Sequence, residues 1–267
     1  MTIGFVQMAP MLGDFDENLS KIERLLAAAP AADLLVLPEL CSTGYAFTSA
    51  AQARDLSEEI SHSRFVGLLE RICAAKNLYV VAGMDERDGN KLYNSSVLVG
   101  PQGYVGKYRK LHLFMNEKDI FTPGDAEPAI YDIGICKLGM LICFDWIFPE
   151  IWRMLALKGA DLICHPSNLV LPGFCQRAIP VHALINRIYV VTANRIGTEG
   201  DLTFTGLSTI ADPKGNVLAQ ASTNREETGV TEMDVALARD KMMTPRNHVF
   251  DDRRPEFYAS LLARKSE

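Results

Sequence analysis

Short strand-like runs and amphipathic helical runs alternate along the first two thirds of this chain, and that alternation restricts the fold more than any other feature. Ile3 to Met8, Leu34 to Leu37, Leu78 to Ala82, Gly139 to Ile142, Leu162 to His165 and Ile188 to Ala193 are compact apolar runs of strand length. Between them, Asp16 to Ala28 carries Leu19, Ile22, Leu25 and Leu26 on one helical face, and Ser63 to Lys76 carries Phe65, Leu68, Leu69 and Ile72. Pro149 suits the first turn of a helix reaching about Lys158, and Gln176 to Asn186 predicts another. Two hairpins interrupt this pattern. Leu92 to Val99 and Tyr104 to Lys107 flank the turn GPQG, while Ser208 to Ala211 and Val217 to Ala221 flank DPKG. Thr228 to Met233 predicts a last strand. Helix-linked strands mixed with hairpins require mixed sheets covered by helices, which excludes a pure Rossmann or TIM arrangement. No Gly/Ser/Pro-rich linker, low-complexity tract or internal repeat divides the sequence, so residues 1–267 are read as one domain. The tail of about 250–267, with an expected short helix from Pro255 and a charged end, either packs on a partner subunit or frays.

Composition narrows the function. Hydrophobic residues make up 48% of the chain, enough to build a core. With 27 Lys and Arg against 33 Asp and Glu, no broad basic field exists for a phosphate backbone, and nucleic-acid binding is not expected. No apolar run is long enough to span a bilayer, so no membrane partner is expected either. MTIGFVQMAP lacks a basic segment before its apolar stretch and does not read as a signal peptide. Cys41, Cys73, Cys136, Cys143, Cys164 and Cys175 form no CxxC pair. Reduced thiols in the cytoplasm are the expectation. There is no P-loop, no GxGxxG and no HExxH, and the five histidines lack metal-ligand spacing. The acidic string DERDGN around Asp85 fails the spacing of a calcium loop and reads as a turn.

Three places put an unusual polar residue beside an apolar run. Glu39 ends LLVLPEL, Lys110 precedes the apolar end of GKYRKLHLF, and Cys143 closes the strand of GMLICFDW, with Asp145 and Trp146 following. Sheets with crossover helices gather strand C-termini at one edge, where ligands bind. A carboxylate, an ammonium and a thiol meeting there form a working set for acyl transfer. Taken alone, each has an ordinary reading: Cys143 as a packed core thiol, Glu39 as a cap, Lys110 as part of a solvated charge run with Lys107 and Arg109.

As whole strings these segments are specific. LPEL followed by STGY, GKYRKLHLF followed by NEKDIFTPGD, and LICFDWIFPE followed by LALKGADLICHPSN resemble, in order and distance, the motifs of the carbon–nitrogen hydrolase family, also called the nitrilase superfamily. The resemblance extends from IGFVQMAP to the DRRPEFY tail. It implies a four-layer α-β-β-α sandwich with two mixed sheets, in the α/β class. It maps a Glu–Lys–Cys triad onto Glu39, Lys110 and Cys143, and a second glutamate onto Glu117, which otherwise reads as a surface residue beside Lys118. It implies an amidase that cleaves a small amide or N-carbamoyl compound through a cysteine thioester, with no metal or organic cofactor. A nitrilase acting on small nitriles shares the triad and is the alternative. A non-catalytic protein of the same fold is the third reading, disfavoured because all three triad residues are present. Homodimers or larger homo-oligomers are implied as well, and the apolar residues of 149–158 and 176–186 mark the expected contact. Tyr45, Phe144, Trp146, Asn168 and Phe174 lie just past the motif positions and are the candidate substrate-binding residues. Arg177 and Arg195 read equally as partners for a substrate carboxylate or as structural ion pairs.

Overall fold

The structure is a computed structural model and describes residues 1–263. From the N-terminus come β1 (Thr2–Gln7), α1 (Phe15–Ala28), β2 (Leu34–Val36), α2 (Ala50–Leu56), α3 (Arg64–Lys76), β3 (Tyr79–Asp88), β4 (Lys91–Gly100) and β5 (Gly103–Arg109). The middle of the chain forms α4 (Glu117–Ile120), β6 (Ile130–Asp132), β7 (Lys137–Met140), α5 (Pro149–Leu157), β8 (Leu162–Pro166), α6 (Phe174–Asn186) and β9 (Tyr189–Ala193). There follow a small hairpin of β10 (Thr198–Glu199) and β11 (Leu202–Thr203), then β12 (Thr209–Ala211), β13 (Val217–Gln220) and β14 (Glu227–Glu232). α7 (Val235–Arg239) and a hairpin of β15 (Met242–Thr244) and β16 (Asn247–His248) lead into the tail.

Two six-stranded mixed sheets result, with strand orders β14-β1-β2-β3-β4-β5 and β13-β12-β9-β8-β7-β6. Within them β1, β2 and β3 run parallel, as do β7, β8 and β9, and antiparallel strands flank each trio. The sheets face each other across a core containing Ile3, Phe5, Val36, Val81, Leu98, Leu138, Met140 and Val191. α1 and α3 cover the outer face of the first sheet, burying Ile22, Leu26, Phe65 and Leu69 against Val6, Leu35 and Val80. α5 and α6 cover the second with Ile151, Trp152, Leu155 and Ile179. Each such side chain contributes about 1.5–3 kcal/mol on leaving water. Helix starts are set locally: Asp14 accepts from the Glu17 N–H, and Ser63 accepts from the Val66 N–H. This is the α-β-β-α sandwich that the family resemblance implied, and it contains the mixed sheets under helices expected from the sequence pattern.

Several boundaries differ from the sequence reading. β3 continues from Ala82 to Asp88 and pairs with β4 through Asp88↔Lys91, so DERD is strand and only Gly89 and Asn90 turn. Charges are tolerated there because Glu86 is held by Arg109 and Lys107 of β5. α2, α4 and β6 lie in segments to which the sequence pattern assigned no element, being too short for a clear period. β7 stops at Met140, so Cys143 opens a 3-10 turn instead of closing a strand. The expected contact surface on α5 and α6 is smaller than the sequence implied: Ile151, Trp152, Leu155 and Ile179 are buried within the chain, leaving Val181 and Ile185 exposed. The expected tail helix is two 3-10 turns, Pro255–Phe257 and Ala259–Leu262, and residues 264–267 lie outside the described region. Among the described residues no helix is long and apolar enough to cross a membrane.

Candidate active site

Topology delivers the three motif residues to one edge. β5 runs parallel to β3, because β4 is antiparallel to both. Lys110, just past the C-terminal end of β5, therefore reaches the same edge as Glu39, which lies just past the end of β2. β2 and β3 pack against β8 of the facing sheet, and β7 beside it leads to Cys143.

Past Val36 the chain stays beside β3. The Leu37 N–H donates to the Val81 carbonyl at 2.8 Å, the Gly83 N–H to Pro38 at 3.1 Å, and the Cys41 N–H to Gly83 at 3.2 Å. A Cβ on Gly83 would lie 2.4 Å from the Glu39 Cα, so only glycine permits this approach. Leu40 turns the chain at φ 47°. Glu39 is thereby aimed between the sheets, fully buried.

Lys110 joins the cluster together. Its Nζ donates to Glu39 Oε1 at 2.7 Å and to Glu117 Oε1 at 2.8 Å, with no solvent exposure of the ammonium side chain. Asn94 Nδ2 also donates to Glu39 Oε1, at 2.6 Å. Glu117 is buried, accepts from the Tyr45 hydroxyl at 2.7 Å and from the Phe114 N–H at 3.2 Å, and is not the surface residue that its neighbour Lys118 exemplifies. Burial alone pushes the Lys110 ammonium down, but the Glu117 and Glu39 carboxylates outweigh it and hold the group firmly charged. Burial raises the Glu39 carboxyl above the ordinary carboxylate range, with Lys110 opposing. Glu39 Oε2 has no protein partner and is free for a reacting group.

Cys143 sits in the left-handed region at φ 40°, a conformation that costs an L-residue about 1–2 kcal/mol. Its surroundings fix it there. Asp145 Oδ2 accepts from the Ile142 N–H at 2.9 Å and from the Tyr108 hydroxyl at 2.8 Å, and Oδ1 lies 2.7 Å from His112 Nδ1. Trp152 Nε1 donates to the Asp145 carbonyl at 3.0 Å. The Cys143 carbonyl accepts from His165 Nε2 at 2.9 Å, which makes Nδ1 the acceptor for the Thr192 hydroxyl. Burial pushes the His165 imidazole down to about 4, so it is neutral at pH 7 and holds the turn without acting as a base. Burial first, then Glu39, raises the Cys143 thiol, while Lys110 and a hydrogen bond from the Asn168 backbone pull the other way. The resting group is therefore a thiol, not a thiolate.

Above Cys143 lies a narrow cleft lined by Phe114, Phe144, Trp146, Asn168, Leu169 and Leu171. Its free volume is about 10 Å³, room for about one water molecule. Of the candidate substrate-binding residues, Phe144, Trp146 and Asn168 line it. Both polar atoms of the Asn168 side chain are buried without partners. Tyr45 is instead one step back, bonded to Glu117 and bordering a larger cavity of about 480 Å³ shared with Phe47, Asn116, Ile120 and Asp201. Phe174 does not reach the cleft: it is half-exposed at the start of α6 with the Arg177 guanidinium over its ring. Arg195 is a structural ion pair, buried at 2.5 Å from Glu199, whose other oxygen accepts from the Tyr45 and Ala46 N–H groups. Asn94 and His165 were given no site role by the sequence, and Asp145 was noted there only as the polar residue after Cys143. The polar run Asn94-Ser95-Ser96 inside an apolar strand was the available signal. Among the described residues no group of three or more His, Cys, Asp or Glu is placed to hold a metal ion.

Residues 2–241 match the family model described as carbon-nitrogen hydrolase. The chain belongs to the carbon–nitrogen hydrolase family. It is 47% identical over 258 residues to a nitrilase of Pyrococcus abyssi, spanning 96% of this chain and 98% of that one. An (R)-stereoselective amidase of Pseudomonas sp is 36% identical over 239 residues, 88% of this chain and 85% of that relative. Among solved structures, the NitN amidase of Nesterenkonia sp. AN1 superposes with a TM-score of 0.81 at 26% identity, covering 98% and 99% of the two chains. A glutamate-to-glutamine variant of that amidase carries the acetamide moiety of fluoroacetamide covalently on its active-site cysteine. The present chain is thus a hydrolase of the nitrilase superfamily, with a buried carboxylate–ammonium cluster beneath a cysteine turn.

Replacing Lys110 in this hydrolase removes the one cation between two buried carboxylates. Lys110→Met is expected to lower the unfolding free energy by about 3–5 kcal/mol, because a broken buried pair leaves an uncompensated charge. Urea denaturation measures this. A loss below about 1 kcal/mol would mean that the cluster is not held as described.

Proposed function

We propose that this hydrolase is a cysteine amidase, cleaving the carbon–nitrogen bond of a small amide or N-carbamoyl compound, with Glu39, Lys110 and Cys143 as its catalytic triad. The observation that carries the reading is the Lys110 ammonium shared between Glu39 and Glu117, with the Cys143 thiol within the fields of the same three groups. Glu39 takes the thiol proton through its unpartnered Oε2 as sulfur attacks the carbonyl carbon. The oxyanion that forms requires donors fixed beforehand. Lys110 Nζ supplies one, and the backbone N–H of Phe144, at the free start of the 3-10 turn, supplies the other. A donor of this kind is worth about 3–4 kcal/mol. Glu39 then returns its proton to the departing ammonia or amine, leaving a thioester on Cys143. Water activated by the same carboxylate releases the acid and restores the thiol. Glu117 orients Lys110, and Tyr45 in turn orients Glu117.

Asn168 supports an amide as the substrate. A buried carboxamide with neither oxygen nor nitrogen satisfied is costly unless a ligand completes it. A substrate carboxamide or ureido group offers both a donor and an acceptor, whereas a nitrile offers only an acceptor. Phe144 and Trp146 would flank the acyl portion. The reaction as written uses no metal and no organic cofactor.

The chain is proposed to act as one catalytic domain and to pair with a second copy. Exposed Val181 and Ile185 of α6 continue into the tail: Arg153 donates to the Ile185 carbonyl at 2.6 Å and sits over the Phe250 ring, and beyond it Phe257, Leu261 and Leu262 are largely exposed. Pairing would cover this apolar strip. A cytoplasmic setting accords with six free, buried cysteines.

Cys143→Ala is expected to fold normally and to abolish turnover. In the parent enzyme a haloacetamide should label Cys143 and none of the other five cysteines by peptide mass spectrometry. Residual hydrolysis by the purified variant would overturn the mechanism. A matched amide and nitrile assayed for ammonia release should favour the amide, the reverse result assigning a nitrilase.

The acidic limb of the kcat/KM profile should lie above the ordinary glutamate pKa of about 4.3, because burial raises the free-enzyme Glu39 carboxyl and activity needs its ionised form. A limb at or below that value would exclude Glu39 as the base. Light scattering at micromolar concentration should give a dimer or larger, and Val181→Glu with Ile185→Glu should weaken it. A monomeric parent protein would end the pairing proposal.

A further inference from the structure

One buried carboxyl plays no part in the mechanism above. Asp85 lies on β3 with about 1% of its surface exposed, and neither of its oxygens has a hydrogen-bond partner. In the β3–β4 ladder it stands directly opposite Asn94. Residues so placed project from the same face with Cβ atoms about 4.5–5.5 Å apart. Asn94 is equally buried, and its Oδ1 is likewise without a partner. On the other side of Asn94, Lys110 donates its backbone N–H to the Asn94 carbonyl at 2.9 Å, so Asp85, Asn94 and Lys110 form one row across β3, β4 and β5.

The Asn94 amide has a fixed orientation. Its Nδ2 must face Glu39 Oε1, 2.6 Å away, because a carboxylate only accepts. The amide oxygen is then turned away from Glu39, and Asp85 is its cross-strand neighbour on the same face of the sheet. An ionised Asp85 would bring two acceptors together in a dry interior. A protonated one supplies the missing donor.

We propose that Asp85 is a neutral carboxylic acid that donates a hydrogen bond to Asn94 Oδ1, and that it thereby positions the amide that donates to Glu39. Asp85 is a positioning residue, acting through Asn94, and its effect on catalysis rests on the reading of Glu39 as the base. The charged groups around it support the neutral form. Burial pushes its carboxyl well above the ordinary range, and the Arg54 guanidinium of α2 is the cation that opposes this. Lys110, the next cation along the row, is already shared by Glu39 and Glu117. With Asp85 neutral, the relay runs Asp85 O–H to Asn94 Oδ1, then Asn94 Nδ2–H to Glu39 Oε1, every donor meeting an acceptor. It would fix which Glu39 oxygen is occupied and leave Oε2 free toward the reacting groups.

Two variants and two readouts test this. Asp85→Asn keeps the shape and supplies an N–H donor, whereas Asp85→Leu supplies none. Infrared difference spectra of the parent enzyme against Asp85→Asn at pH 7 should contain the carbonyl stretch of a protonated carboxylic acid. Its absence would overturn the proposal without bearing on Glu39. In kinetics, Asp85→Asn should keep kcat/KM within about twofold and leave the acidic limb in place. Asp85→Leu should lose about tenfold and move that limb to higher pH, since Glu39 loses an oriented donor that stabilises its anion. An acidic limb that moves to lower pH in Asp85→Asn would mean that a negative charge had been removed, and would overturn the proposal. If Asp85→Leu does not fold, the spectra and the Asp85→Asn profile still decide. Should Glu39→Gln retain full activity while the infrared band is present, the mechanism fails, and the catalytic part of this proposal with it, but the hydrogen bond stands.

Discussion

A lysine ammonium with no access to water, shared between two buried glutamates, is the interaction on which the rest of the site depends. Withdrawing a charged group from water costs several kcal/mol even after the protein relaxes, and only short, well-aligned partners repay it. Lys110, Glu39 and Glu117 therefore have to arrive together, and the fold is arranged so that they do. Glu39 follows the last residues of β2, Lys110 follows β5, and Glu117 opens α4. The Tyr45 hydroxyl and the Phe114 N–H occupy further lone pairs of Glu117, and Asn94 occupies one on Glu39. What remains unsatisfied is Glu39 Oε2, the atom to which the proposed mechanism assigns the proton.

The same logic explains the strained cysteine turn. A left-handed Cys143 is unfavourable by itself, so its neighbours must over-determine it. Asp145 does so from within the turn by accepting from the Ile142 N–H, and Trp152 and His165 do so from α5 and β8. His165 illustrates why an imidazole beside a candidate nucleophile is not automatically a base. Its Nε2 proton is committed to a carbonyl and burial keeps it neutral, so it serves as a brace. In the proposed mechanism the base is instead Glu39, which follows a strand of the facing sheet.

Much of this was legible in the chain itself. The alternation of helix-linked strands and hairpins predicted mixed sheets under helices, and the turns GPQG and DPKG fall between the strands they were assigned to. The LPEL, RKLHLF and LICFDW strings singled out Glu39, Lys110 and Cys143. The reading faltered where local pattern conflicts with tertiary pairing. DERD looked like a turn because acidic residues are poor strand formers, yet Lys107 and Arg109 of β5 neutralise Glu86 and extend β3 by six residues beyond Ala82. Phe174 was placed in the pocket by sequence proximity, and a helix start turned it outward.

The sequence by itself determined the fold class and the identities of the residues that carry charge or sulfur, because periodicity and strand-end chemistry are local properties. Only the tertiary structure decided which of them touch. Asn94 meets Glu39 through strand register, Asp85 stands opposite Asn94 through the same register, and His165 meets Cys143 across neighbouring strand ends. A one-residue slip in any of these strands would turn those side chains to the opposite face, since side chains alternate with period two. Register is set by the packing of whole sheets against each other, and no short string of residues encodes it.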